Sequence, residues 1–235
     1  MKVNLDVDVH HLTRVEGHGN IRVRVRDGAL EEASWAVVET PRYFEVMLRG
    51  KHFTTAPQLA ARICGICSIS HCLCSLEATE HAFGVTVPET ARRLRELAKH
   101  GETLQSHALH FFFLAAPDFV GEPSVIPLIE KAPEVVETAR RVKGLANRLC
   151  DVVAGRTTHP VSLVPGGVGR LPSRDELLSF VPELERALPD LDATADLLLT
   201  LDVPRFTRET EFVSLKGGPG YPYIGREMIS TDGVE

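Results

Sequence analysis

The chain opens on strict alternation. Val3, Leu5, Val7 and Val9 are interleaved with Asn4, Asp6 and Asp8, which predicts a strand with one apolar face. A polar loop from His10 to Gly19 leads to a second alternating run, Ile21 to Arg26, whose Arg22, Arg24 and Arg26 form a solvated strand face. Asp27-Gly28 is a hairpin signal, and Leu30 to Val38 supplies the returning strand. The period then changes. Tyr43 to Leu48 predicts a short helix ended by Gly50, Ala56 to Ile63 a second with Pro57 in its first turn, and Ser68 to Phe83 a third stopped at Gly84. After Pro88, the residues Leu94, Leu97, Ala98, Gly101, Leu104, Ala108 and Phe112 recur at helical spacing as far as Pro117. Val136, Ala139, Val142, Ala146, Leu149 and Val153 mark a further helix from Pro133.

The connection from Gly155 to Pro172 is rich in glycine and proline. It is too long for a simple turn and is expected to be functional or buried against the body. Ser173 with Glu176 predicts a capping box at the head of a helical stretch running to about Leu201. Residues 211–235 give strand-like pieces broken at Lys216-Gly217-Gly218-Pro219-Gly220, then a turn at Ser230-Thr231-Asp232-Gly233. The fold class is therefore α+β, mainly α: a small N-terminal antiparallel sheet followed by a long-helix bundle. Residues 1–40 form the sheet, 41–205 a helical body, and 206–235 the start of an incomplete C-terminal region.

Composition narrows the function classes. A 235-residue chain with 43% hydrophobic and 25% charged residues is ordinary for a globular domain. A net charge of −6 without a basic cluster argues against a nucleic-acid partner. No stretch approaches the ~20 apolar residues of a membrane span, and residues 1–9 carry no signal-peptide core.

Cysteine usage points to metal or redox chemistry. Of Cys64, Cys67, Cys72, Cys74 and Cys150, four fall within eleven residues and the total is odd, unlike a secreted disulfide framework. A cytoplasmic location follows as the expectation. The sharpest motif is Arg62-Ile63-Cys64-Gly65-Ile66-Cys67-Ser68-Ile69-Ser70-His71. Two thiolates three residues apart can converge on one soft metal from a tight turn, with Gly65 expected to spare the backbone a Cβ clash. His71 is one helical turn beyond Cys67 and can donate to a bound sulfur, while Arg62 adds charge that favours thiolate over thiol. A structural zinc half-site and a redox pair use the same spacing; zinc wants a second ligand pair, and a redox pair wants a βαβ setting. Cys72 and Cys74, two apart on a predicted helix, are read as small buried hydrophobes, and Cys150 as core. His107 and His110 share a helical face without an apparent third ligand.

At this point R-I-C-G-I-C-S-I-S-H resembles the N-terminal metal signature of nickel–iron hydrogenase large subunits. Arg14-Val15-Glu16-Gly17-His18-Gly19 is similar to a second signature, and Gly155-Arg156, His159-Pro160 and Pro165-Gly166-Gly167 to a third segment. The resemblance implies Cys64 as a terminal ligand of nickel and Cys67 as a bridge from nickel to an iron bearing cyanide and carbon monoxide. It implies His71 near the bridging sulfur, Glu45 on a structural magnesium, Glu16 at the start of a proton path, and His159 facing a partner. Hard carboxylate oxygen suits magnesium; the local alternatives are a surface glutamate for Glu45, a loop glutamate paired with Arg14 for Glu16, and a turn histidine beside Pro160 for His159. Heterolytic cleavage of dihydrogen is the implied reaction, with an iron–sulfur small subunit and further electron-transfer subunits as partners.

One departure matters. The family supplies two more cysteines from a second C-x-x-C near its C-terminus, and this sequence has no cysteine after Cys150. The expectation is a fragment, with a split subunit or an inactive truncation as alternatives, whose missing C-x-x-C comes from the rest of the protein or a separate polypeptide. The chain alone is expected to be inactive. Rival classes are a non-catalytic relative resembling the quinone-pocket subunit of respiratory complex I, which lacks the metal-binding cysteines, and a structural zinc module.

Overall fold

The computed structural model describes residues 3–217, 221–225 and 227–233. The chain divides into two units, Met1–Arg49 and Gly50–Glu235.

In the first unit, alternation produces the expected sheet: β1 (Leu5–Val9), β2 (Gly19–Arg26) and β3 (Ala29–Val37), antiparallel in the order β1-β2-β3. Val7 lies opposite Val23 and Ile21 opposite Trp35, so the apolar residues share one face. The other face is a charge ladder. Arg22 reaches Asp8 at 2.7 Å, and Arg24 reaches both Asp6 at 3.2 Å and Glu32 at 3.6 Å. The hairpin turn needs left-handed backbone at both central residues, and Asp27 (φ 50°) and Gly28 (φ 83°) supply it. Gly19 is required for a different reason: a Cβ there would stand 2.1 Å from Nε1 of Trp35, which packs across it. Helix α1 (Pro41–Leu48) closes the unit. Gly19 is the only buried residue among those described in this unit, so the sheet's apolar face is largely uncovered.

In the second unit, α2 (Ala56–Ala60) has Pro57 in its first turn and runs into a 3₁₀ turn over Ala61–Ile63. α3 (Ser68–Phe83) ends at Gly84, which takes the left-handed conformation expected of a helix stop. α4 (Glu89–Ala108) continues as a π-helical segment, Leu109–Ala115, before α5 (Ala116–Phe119). The sequence pattern did not distinguish this widening from continued α-helix. Pro117, without an N–H, cannot serve the preceding turn, and a wider turn precedes it. α6 (Leu128–Lys131) and α7 (Pro133–Ala154) follow, α7 stopping at Gly155.

The connection after Gly155 holds a small hairpin, β4 (Leu163–Val164) paired with β5 (Gly167–Val168). Ser173 then forms the expected capping box with Glu176 at α8 (Arg174–Leu178). The helical stretch expected to about Leu201 consists of two helices, since Pro182 starts a second, α9 (Val181–Thr200). β6 (Val213–Lys216) and β7 (Glu227–Ser230) pair antiparallel, and Gly218–Gly220 of the expected break lie outside the described residues.

The core joins α3, α4 and α7. Ile69, Cys72, Leu73 and Leu76 meet Leu94, Ala98, Leu145, Leu149, Cys150 and Val153, with Leu163 and Phe180 completing the cluster. Gly101 allows α4 and α7 to approach, since a Cβ there would stand 2.8 Å from the sulfur of Cys150. A second cluster gathers Phe111, Phe112, Ala139 and Val142.

Candidate metal centre

The cysteine turn sits between the 3₁₀ turn and α3. Cys64 is extended and buried, and Cys67 is the half-buried residue at the head of α3. Their Cα atoms are 5.5 Å apart and the sulfurs are joined as a disulfide. The Cys67 amide donates to the Cys64 sulfur at 3.1 Å. His71 lies one turn along α3, its N–H bonded to the Cys67 carbonyl at 3.2 Å. The two sulfurs and a ring nitrogen of His71 all lie within 4.8 Å of one another, and no other such group of potential metal ligands occurs among the described residues. Two soft sulfurs and an imidazole on one side of a turn fit a thiophilic metal such as nickel or zinc, once the disulfide is reduced to the thiolates that bind metals.

Gly65 does not play the expected part. It has no positive φ, and a Cβ there would meet nothing within 4 Å, so the turn is made by the extended Cys64 and the helix start at Cys67. Arg62 is exposed in the middle of the 3₁₀ turn. Glu16 and Glu45 belong to the Met1–Arg49 unit. Glu16 is exposed rather than buried, on a loop bent by positive φ at His11, Arg14 and Gly17, and Glu45 is an exposed residue of α1.

The remaining cysteines part ways. Cys72 and Cys150 are fully buried, and burial pushes both thiols up to about 12, so they stay protonated and poor metal ligands. Cys74 corrects the sequence expectation: it is exposed, beside Ser70, Glu77 and Lys99 under β6 and β7. Two positions turn a helix by about 200°, which carries Cys74 away from the core face that Cys72 occupies. His107 and His110 are both exposed.

Sequence reasoning missed a set of polar residues on α4 that face inward. Glu102 accepts the Ile69 N–H at 2.7 Å, and its two carboxylate oxygens accept the Ser70 N–H at 3.2 and 3.1 Å. Lys99 joins them, 3.0 Å from Glu102 and 2.8 Å from Ser70 Oγ. Gln105 donates to the Ile66 carbonyl at 3.0 Å and accepts from Lys143 at 2.9 Å. His159 closes the other side: its N–H bonds Ser68 Oγ and its Nδ1 pairs with the Ala61 carbonyl, both at 2.9 Å. Its ring is thus engaged with the flank of the cysteine turn.

Further along, buried Arg95 and Glu80 form a two-pronged ion pair at 2.9 and 2.6 Å. Arg95 also donates to Val164 O and Gly167 O, and Glu80 accepts the Gly166 N–H at 2.8 Å. The glycine-rich connection is therefore pinned to α3 and α4. The signal was present in the sequence as charged residues on the inward strip of α4, Arg95 seven before Glu102 and Glu102 three before Gln105.

A model of the nickel-dependent hydrogenase family matches residues 42–143. The chain is 40% identical over 171 residues to the alpha subunit of sulfhydrogenase 2 of Pyrococcus furiosus, covering 73% of this chain and 42% of that protein. It is 34% identical over 233 residues to the alpha subunit of sulfhydrogenase 1 of the same organism, covering 98% and 54%. Among solved structures it superposes on a chain of an NAD+-reducing [NiFe]-hydrogenase in the H2-reduced state, with a TM-score of 0.85, 31% identity, and coverage of 94% of this chain and 52% of that one. Residues 42–143 thus carry a nickel-dependent hydrogenase domain, and the chain is similar to hydrogenase alpha subunits over much of its length. It spans about half the length of the curated relatives it matches. No helix of the described residues is long and apolar enough to cross a membrane.

Proposed function

We propose that this chain contributes one thiolate pair to the nickel–iron centre of a hydrogenase large subunit that cleaves dihydrogen heterolytically. The observation that carries the proposal is the convergence of Cys64, Cys67 and His71 within 4.8 Å, inside the stretch that matches the nickel-dependent hydrogenase family. When bound, the nickel–iron centre with its cyanide and carbon monoxide ligands supplies the site of dihydrogen binding and bond cleavage.

The chain's own residues have narrower tasks. Cys64 and Cys67 would hold the nickel–iron centre, each as a thiolate. The Cys67 amide steadies the charge on the Cys64 sulfur. His71 would donate a hydrogen bond towards the Cys67 sulfur, and Arg62 would supply positive charge beside the turn. Glu16 takes up the departing proton and Glu45 holds a magnesium ion; these two rest on the resemblance of their sequence contexts to family signatures. The second thiolate pair comes from outside the 235 residues, from the rest of the subunit or a separate polypeptide. Electrons leave to an iron–sulfur small subunit and further electron-transfer subunits. A cytoplasmic location is proposed from the crowded, odd-numbered cysteines.

Metal uptake tests this. The reduced full chain, titrated with Ni(II) under anaerobic conditions, is expected to bind one equivalent with sulfur-to-nickel charge-transfer absorption. Cys64→Ser or Cys67→Ser should abolish that absorption, and Cys72→Ser or Cys74→Ser should leave it intact. Retention of the absorption in the Cys64 and Cys67 variants, or its loss in the Cys74 variant, would sink the proposal.

A further inference from the structure

A helix leaves its first amide groups without partners inside the helix, and a side chain at the capping position ordinarily accepts from the second or third of them. Cys67 is the capping residue of α3 and makes no such bond. The amides in question, those of Ile69 and Ser70, are taken instead by Glu102, thirty-three and thirty-two residues away on α4. A carboxylate at a helix start is also well placed against the positive end of the helix dipole. The consequence for Cys67 is direct: its sulfur is not engaged at the helix start and is turned towards Cys64 and His71.

Three residues further along the same face of α4, Gln105 holds the inside of the turn. Lys143 can only donate, so it selects the oxygen of the Gln105 amide, and the NH₂ group is left to face the Ile66 carbonyl. Glu102, at 2% exposure, and Gln105, at 4%, are both buried, so these bonds are made away from competing water. One rigid helix thus grips the cysteine turn twice, before and after Cys67.

We propose that Glu102, seconded by Gln105, is the positioning residue of this site: it sets the angle at which Cys67 is presented to a metal and His71 to the Cys67 sulfur. This rests on the reading of Cys64 and Cys67 as metal-holding groups with His71 hydrogen-bonded beside them. Glu102 itself touches no metal and no substrate. Its effect is exerted through the Ile69 and Ser70 amides, and so on the geometry of the donors rather than on their number.

Cobalt(II) added to the reduced full chain reports both quantities, since its d–d bands respond to coordination geometry and its charge-transfer band to bound thiolate. Glu102→Gln puts a donor where the Ser70 amide and Lys99 need an acceptor. It is expected to weaken Co(II) binding about 10–100-fold, the usual cost of losing an outer support, and to shift the d–d bands. Gln105→Leu should act in the same direction, and Glu102→Asp should recover part of both losses. Glu80→Gln, which breaks a buried pair some three turns away on α3, should lower the melting temperature without altering affinity or bands. Wild-type affinity and bands in Glu102→Gln would overturn the proposal, as would a Glu80→Gln variant that changes them equally. Should Glu102→Gln not fold, Gln105→Leu decides, with unchanged bands overturning the proposal. Absence of Co(II) binding in the wild type, or its persistence in Cys64→Ser, would instead remove the metal-site reading itself.

Discussion

Two positions separate Cys72 from Cys74, and their environments differ entirely. Cys72 is sealed among Ile69, Leu76 and Leu149, whereas Cys74 is open to solvent. A water-soluble thiol reagent at pH 8 is therefore expected to modify Cys74 in the folded chain and to leave Cys72 and Cys150 untouched until denaturant is added. Mass spectrometry counts the adducts, and native-state labelling of Cys150 would contradict the packing described. The same burial has a pH consequence. Both buried thiols stand at about 12 in the folded chain against an ordinary value of 9.0. The folded state therefore keeps these protons where the unfolded chain has lost them, and the resulting stability is full below pH 9 and drains away as pH rises towards 12. The cysteine motif and its histidine were legible at this scale because their spacing encodes a turn and one helical repeat. The exposure of Cys74 was not, because spacing gives relative rotation and not which rotation faces the core.

At the scale of elements, strands, helices and stops were readable almost to the residue where periodicity and capping agree, as at Asp27-Gly28, Gly84, Gly155 and Ser173. The pinning of the 155–172 connection was anticipated only in outline. An amphipathic pattern assigns charged residues to solvent, and so it hides Arg95, Glu102 and Gln105 on the buried strip of α4. Such residues are costly to leave half-paired. Glu80→Ala would strand Arg95 in the interior and is expected to cost about 3–5 kcal/mol in chemical denaturation. Replacing Glu80 and Arg95 together by apolar residues of similar volume should cost much less, and equal losses in the single and double variants would show that the cost is not that of a stranded charge.

For the molecule as a whole, the alternation of the first strands told which residues share a face but not what covers it. In the Met1–Arg49 unit that face stays open, with Leu30, Trp35 and Val37 each more than half exposed. Trp35 is the only tryptophan of the chain, so its emission is a clean reporter of that face. The chain should show the long-wavelength emission of a hydrated indole and ready quenching by acrylamide; a short-wavelength, unquenched signal would mean that the face is covered in solution. The likeness to hydrogenases was carried by short motifs, whereas the supports that hold those motifs in place are scattered along α4, α7 and the connection beyond it, where no local pattern flags them.

The grip of Arg95 on the β4–β5 hairpin joins groups 69 and 72 residues apart in the chain. Contacts so distant form slowly, because a long loop must be closed before either partner is rewarded. The hairpin can seat only after α3 and α4 have already come together to present Glu80 and Arg95 as a pair. In time, then, the connection is a latch that drops last, once the rest of the body is already built.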